Sequence, residues 1–140
     1  MILLDTNVLS ALMLKEADPR VVAWLDRQAP ESIWTTSVTV FEIRFGLETL
    51  EQGKRRRRLE DAFSQALEED LEDRILPFDS RAAQAAATIA AQQRRQGRPV
   101  EIRDVQIAGI ALARKASLAT RNTRHFEALG ISLMDPWKDK

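Results

Sequence analysis

The stretch Ile2-Leu3-Leu4-Asp5-Thr6-Asn7-Val8, close to the start of the chain, decides the fold. Three apolar residues stop abruptly at a carboxylate, and a helical spacing through Leu9, Leu12 and Met13 follows. The run is too short to alternate, as expected of a strand buried on both faces. With Asp5 in its middle and no basic region ahead of it, the segment does not read as a signal peptide. Strand, acid, helix is the opening unit of an α/β sheet.

The same alternation continues outward. Asp18-Pro19 marks a helix start with proline at the first helical position, and Val21, Val22 and Leu25 give that helix its apolar face. Pro30 ends it, and Ile33 to Thr36 read as a second strand rich in β-formers. A helix from Val38 carries Phe41, Phe45 and Leu47 toward Leu50, with Ser37 or Thr39 as its cap. Gly53 separates it from a long polar helix over 54–73, and Arg74 to Phe78 form a third strand. Asp79 is placed to cap an alanine-rich helix over 80–96 that stops at Gly97. A small-residue helix over 103–116, a strand at 118–120, a short helix over 123–128 and a strand at 131–134 complete the chain. Strands alternating with helices predict a parallel β-sheet sandwiched by α-helices, in one domain over residues 1–140. Ligands of such sheets bind beyond the carboxyl ends of the strands, at a switch point. Asp5 and Asn122 should therefore be near neighbours if their strands are adjacent.

Composition narrows the chemistry. The 140 residues include 21 Lys and Arg, 21 Asp and Glu, no Cys and one His, His125. A thiol nucleophile, a disulfide, a cysteine-built zinc site and a histidine cluster are all excluded. A catalytic metal would have to take oxygen ligands from carboxylates, which favours Mg²⁺ or Mn²⁺. No segment reaches the ~20 apolar residues of a membrane span, so the expected location is the cytoplasm.

Three acids are candidates for that role, and each has an ordinary structural explanation as well. Asp5, at the rim of a buried strand, is also suited to cap the next helix. Glu42, in the apolar stretch Val38-Thr39-Val40-Phe41-Glu42-Ile43, is either a metal ligand or the partner of a nearby arginine. Asp104 lies in the first turn of its helix, where the macrodipole favours an acid. Their combination is what carries weight. Three carboxylates on one rim of one sheet would repel and hold protons, and a divalent cation removes that conflict while activating water or stabilising a phosphoryl oxygen.

Four segments together resemble the PIN-domain ribonucleases. They are Ile2-Leu3-Leu4-Asp5-Thr6-Asn7-Val8, Glu42-Ile43-Arg44-Phe45-Gly46, Arg103-Asp104-Val105-Gln106-Ile107-Ala108, and Ala119-Thr120-Arg121-Asn122 with Phe126. Within that family the chain is most similar to the VapC-type toxins of toxin–antitoxin pairs, in particular the FitB-like branch, from Met1 to Trp137. The resemblance implies a Mg²⁺- or Mn²⁺-dependent endoribonuclease with Asp5, Glu42 and Asp104 at the acidic positions. Many relatives carry a fourth acid where this chain has Asn122, whose neutral carbonyl coordinates more weakly. Thr6 and Thr120 would supply hydroxyls beside the metal ligands. The resemblance further implies a homodimer, and an antitoxin partner seated in a groove of the N-terminal helices. Contact with DNA would come only through that antitoxin.

The zero net charge conceals an uneven distribution, with 11 basic and 6 acidic residues in 75–140. Lys54 to Arg58 read as a solvated helix face with internal salt bridges. Arg121 and Arg124, flanking Asn122, are better placed to hold an RNA backbone, as are Arg94, Arg95, Arg98 and Arg103 before Asp104. His125 reads as a surface residue. Any one of Leu12, Leu14 and Trp24 fits ordinary core packing, while together they offer more apolar surface than one small core needs. A phosphotransferase with Asp5 as nucleophile wants a second acid two residues on, where this chain has Asn7. A catalytically weak protein-binding module on the same fold is the more serious rival, given Asn122.

Overall fold

The computed structural model describes residues 1–139. Five strands, β1 (Ile2–Leu4), β2 (Ile33–Thr36), β3 (Ile75–Leu76), β4 (Ser117–Ala119) and β5 (Ser132–Met134), form one parallel sheet in the order β3-β2-β1-β4-β5. Seven α-helices flank it: α1 (Thr6–Leu12), α2 (Pro19–Asp26), α3 (Ser37–Glu48), α4 (Lys54–Gln65), α5 (Ser80–Arg95), α6 (Ile102–Arg114) and α7 (Thr123–Phe126). Among the described residues no helix is long and apolar enough to cross a membrane.

Strand β1 lies at the centre, and its two leucines define the two layers. Successive side chains of a strand point to opposite faces. Leu4 accordingly joins Trp24, Phe63 and Trp137 on one side, and Leu3 joins Ile89, Ile110 and Phe126 on the other. Both leucines are essentially inaccessible. The chain steps from β1 outward to β2 and β3, then returns to lay β4 and β5 on the opposite edge of β1. The switch point therefore falls between β1 and β4, whose register pairs Leu4 with Ala119. That pairing places Asp5 and Thr120, each one residue further on, side by side.

Several boundaries differ from the sequence reading for local reasons. The third strand shrinks from 74–78 to two residues, since Pro77 has no N–H to donate. Arg74 instead ties its guanidinium to the carbonyls of Ile33 and Pro30. The polar helix expected over 54–73 closes at Gln65 and widens into a π-helical turn, Ala66–Asp70, in which the Leu71 amide donates to Ala66 O at 2.9 Å. Glu72 and Asp73 then take left-handed φ of 47° and 56°, which ends the helix. The cap of α3 is Thr36, not Ser37 or Thr39; its Oγ1 accepts from the Thr39 amide at 3.1 Å. Trp24 belongs to the core and Leu12 is half-buried, leaving Leu14 as the exposed member of that trio. Of the α3 residues, Val38, Ile43 and Leu47 face inward while Phe41 and Phe45 stand outward with ring centroids 6.1 Å apart.

Candidate active site

Four elements deliver polar groups to the switch point. Asp5 ends β1 and caps α1: its Oδ1 accepts from the Thr6 amide at 2.8 Å. The capping and functional readings of this residue are therefore compatible, because Oδ2 is left for other partners. That oxygen accepts from Thr120 Oγ1 at 2.7 Å and from Asn7 Nδ2 at 3.2 Å. Thr120 is fully buried just past β4, and its hydroxyl oxygen also accepts from the Asn122 amide at 3.0 Å. Asn7 completes the link, since its Oδ1 accepts from the Arg121 amide at 3.0 Å. One hydroxyl and one amide side chain thus lock the β1 and β4 ends together around a carboxylate that is only 6% exposed.

Glu42 comes from α3, where it is half-buried one turn beyond the cap. The Thr6 hydroxyl lies within reach of its carboxylate and stands 3.4 Å from Thr39 Oγ1. Arg103 approaches Glu42 to 3.7 Å, so the neighbouring-arginine alternative is realised as well. Asp104, from the first turn of α6, has His125 Nδ1 3.5 Å from its Oδ2.

These acids share an electrostatic problem. Burial raises the carboxyl pKa of Asp5 above its ordinary value, and the hydrogen bonds from Thr120, Thr6 and Asn7 offset part of that rise. Burial likewise raises Glu42; Arg103 and Thr6 pull it back, while the charges of Asp5 and Asp104 push it further up. Asp104 is raised by burial and then by Asp5, against the attraction of His125 and Arg103. Each acid makes ionisation of another harder, the situation a bound cation relieves. Three carboxylates are oxygen donors that suit a hard divalent ion. They are not drawn into a ready cage: among the described residues no three Asp, Glu or His side chains stand close enough to hold an ion as they are.

A family model for the PIN domain matches residues 2–131. The chain belongs to the PIN-domain family. Among its relatives, a VapC ribonuclease of Sinorhizobium fredii is 39% identical over 138 residues, covering 99% of each chain. Toxin FitB of Neisseria gonorrhoeae is 36% identical over 139 residues, 99% of this chain and 100% of that one. A solved structure of FitAB bound to a DNA fragment superposes with a TM-score of 0.89 at 35% identity, covering 100% of this chain and 98% of that one.

In this PIN domain the remaining residues singled out from the sequence divide. Thr6 and Thr120 lie in the polar network just described. Arg124 and Asn122 line a cleft with Asp104. Arg121 does not join them: its guanidinium sits over the Trp137 ring, 4.8 Å from the centroid, and its charge is felt at Asp18. Three residues take roles other than those read from the sequence, where Asn7 counted only against a phosphotransferase, Arg103 stood as an RNA-backbone contact and His125 as a surface residue. Asn7 bridges Asp5 and Thr120, Arg103 offsets the Glu42 charge, and His125 reaches Asp104 although its side chain is 59% exposed. Asn7 stands two residues after Asp5, in the first turn of the helix that Asp5 caps, but the partners that give it its role are brought near only by the fold.

Proposed function

We propose that this PIN domain is a divalent-metal-dependent endoribonuclease, the toxin of a toxin–antitoxin pair, hydrolysing RNA phosphodiester bonds at Asp5, Glu42 and Asp104. The observation that carries the reading is the convergence of three mutually repelling acids, from three separate elements, on the switch point of a parallel sheet. The likeness to a VapC ribonuclease and to toxin FitB over almost the whole chain supports it.

Asp5, Glu42 and Asp104 are the residues that would hold Mg²⁺ or Mn²⁺, with Asn122 adding a neutral carbonyl. When bound, the cation supplies Lewis acidity that activates water and stabilises charge on the phosphoryl oxygens. Thr120 and Asn7 keep Asp5 Oδ2 pointed to one place, so that carboxylate needs no reorganisation during the reaction. Arg103 moderates the charge of Glu42, and Arg124 is positioned to contact the RNA backbone. Asn122 in place of a fourth acid lowers the negative charge of the site, which weakens a second cation more than the first.

The partner we assign is an antitoxin, as in the FitAB complex, with DNA reached only through it. A homodimer would cover the exposed Phe41 and Phe45. The test is cleavage-site mapping on total RNA with and without Mg²⁺. Wild type is expected to cut only with Mg²⁺, and Asp104→Asn to lose activity by at least about a hundredfold, the scale of removing a principal electrostatic contributor. Metal-independent cutting, or an undiminished Asp104→Asn, refutes the reading; absence of cutting by wild type favours the binding-module alternative.

A further inference from the structure

A cleft of about 570 Å³ opens beside Asp104 and Asn122. One wall is the connection between α5 and α6, with Arg98 and Val100; the other carries Arg124 and His125, and buried Leu129 lies among the lining residues. Buried Gln93 ties the two sides together, donating from Nε2 to Ala128 O at 3.0 Å. The lining is therefore braced by a side-chain bond between α5 and the turn after α7.

The cleft is lined by the carboxylates Glu101 and Asp104 and by Arg98 and Arg124, and the arginines in and around it are unevenly committed. Arg103 is engaged by Glu42 and Glu101, and Arg114 by Asp79. Among the described residues, Arg98 and Arg124 form no ion pair, and both are exposed. Two uncommitted guanidiniums beside an apolar surface suit a ligand that is anionic at one end and flat and apolar at the other. The volume falls in the range of pockets that enclose small organic groups. A surface meant only for anions would not need Val100 and Leu129, and one meant only for an apolar anchor would not present two free arginines.

We propose that this cleft is a nucleotide subsite. It takes the nucleotide adjacent to the scissile phosphate, with Arg98 and Arg124 on its phosphate and its base packed on Val100 and Leu129 beside the His125 ring. Single-stranded nucleic acids are held in this way, by cations along the backbone and flat or apolar side chains under the bases. The assignment rests on the ribonuclease reading above and extends it. It makes Arg98 and Arg124 positioning residues, with no part in the chemical step. It also implies that the base is unstacked before it enters.

The experiment uses the full chain in EDTA, where no cleavage occurs, and a fluorescein-labelled single-stranded oligoribonucleotide followed by anisotropy across a salt series. Arg98→Ala and Arg124→Ala are each expected to weaken binding about tenfold and to lower the log–log salt slope by about 0.7, one single-strand phosphate each. Val100→Trp fills the cleft without touching charge, so it should weaken binding and leave the slope as it was. Arg114→Ala, paired on α6, should bind as wild type does. Undiminished binding by the arginine variants, or by Val100→Trp, overturns the proposal. So does displacement of the RNA by oligoglutamate but not by a nucleoside monophosphate, which would assign the cleft to an acidic peptide. The same proteins assayed in Mg²⁺ separate the two readings. Cleavage with an unaltered KM in the arginine variants removes the subsite and keeps the nuclease; subsite-dependent binding without cleavage does the reverse.

Discussion

At the scale of single residues, the tightest element of the site is Thr120. Its hydroxyl donates 2.7 Å to Asp5 and accepts from Asn7 and Asn122, so it fixes a residue 115 positions away in sequence. The acids around it are held above their ordinary pKa, which means that the folded protein binds more protons than the unfolded chain over the interval between the two values. In that interval stability falls as pH rises. The metal-free protein is thus expected to gain stability as pH falls through the raised carboxyl values toward the ordinary carboxylate range. Asp104→Asn should remove part of that dependence and raise stability at pH 7 by about 1 kcal/mol, on the scale of relieving unfavourable charge at a functional site. Thermal unfolding across a pH series from neutral into the carboxylate range checks both; a metal-free protein that shows no such gain before acid unfolding would contradict the pKa directions. Asp5 stood out in the sequence because a carboxylate ends a buried strand, although that position equally suits the helix cap that it forms. Asn7 did not stand out, because its importance comes from Thr120 and Arg121, partners that only the fold brings near. The expectation that Arg121 faces the acids failed for the same reason, since Trp137, its actual partner, lies 16 positions further along the chain.

At the scale of elements, periodicity was a sound guide to kind and a weaker one to length. The two- to four-residue strands have few residues to mark their ends, and their limits are set by neighbours such as Pro77 or by pairing across the sheet. The departure from α to π geometry at Ala66 leaves no mark in a helical pattern, because the wider turn still brings Ala66, Leu67 and Leu71 into the core. Helices α5 and α6 show what their small residues are for. A Cβ on Gly109 would stand 2.5 Å from Ala82 O and 2.7 Å from Ala86 Cβ. Alanine normally gains about 1 kcal/mol over glycine inside a helix. Here it meets the backbone of the facing helix, and overpacking of that kind costs about 1–3 kcal/mol. Because a backbone oxygen cannot move aside as a flexible side chain can, the steric cost should win. Gly109→Ala is therefore expected to lower the urea midpoint with little change in m-value; an unchanged or higher midpoint would show that the helices separate without penalty.

At the scale of the whole molecule, the strand order turns a list of weak local signals into one site. Asp5, Glu42 and Asp104 lie on different elements, and the reversal of strand order at β1 brings Asp5 beside Thr120, with Glu42 and Asp104 close enough for their charges to couple. The parallel sheet followed from the alternation of strands and helices; the place of its switch point was conditional on β1 and β4 being neighbours, which the strand order supplies. The committed and uncommitted arginines did not follow from it, since ion pairs such as Arg103–Glu42 join residues 61 positions apart. The excess of basic residues in the C-terminal half is consistent with an anionic partner near the acids; of these, Arg98 and Arg124 line the cleft beside Asp104 and, among the described residues, form no ion pair. In the function proposed for this domain, the repelling acids together form a divalent-metal centre. Titration calorimetry of Mn²⁺ into the metal-free protein tests it without relying on a substrate. Wild type is expected to give saturable binding that Asp5→Asn and Asp104→Asn each weaken by about tenfold or more, whereas equal binding by all three proteins would contradict a centre built from these acids.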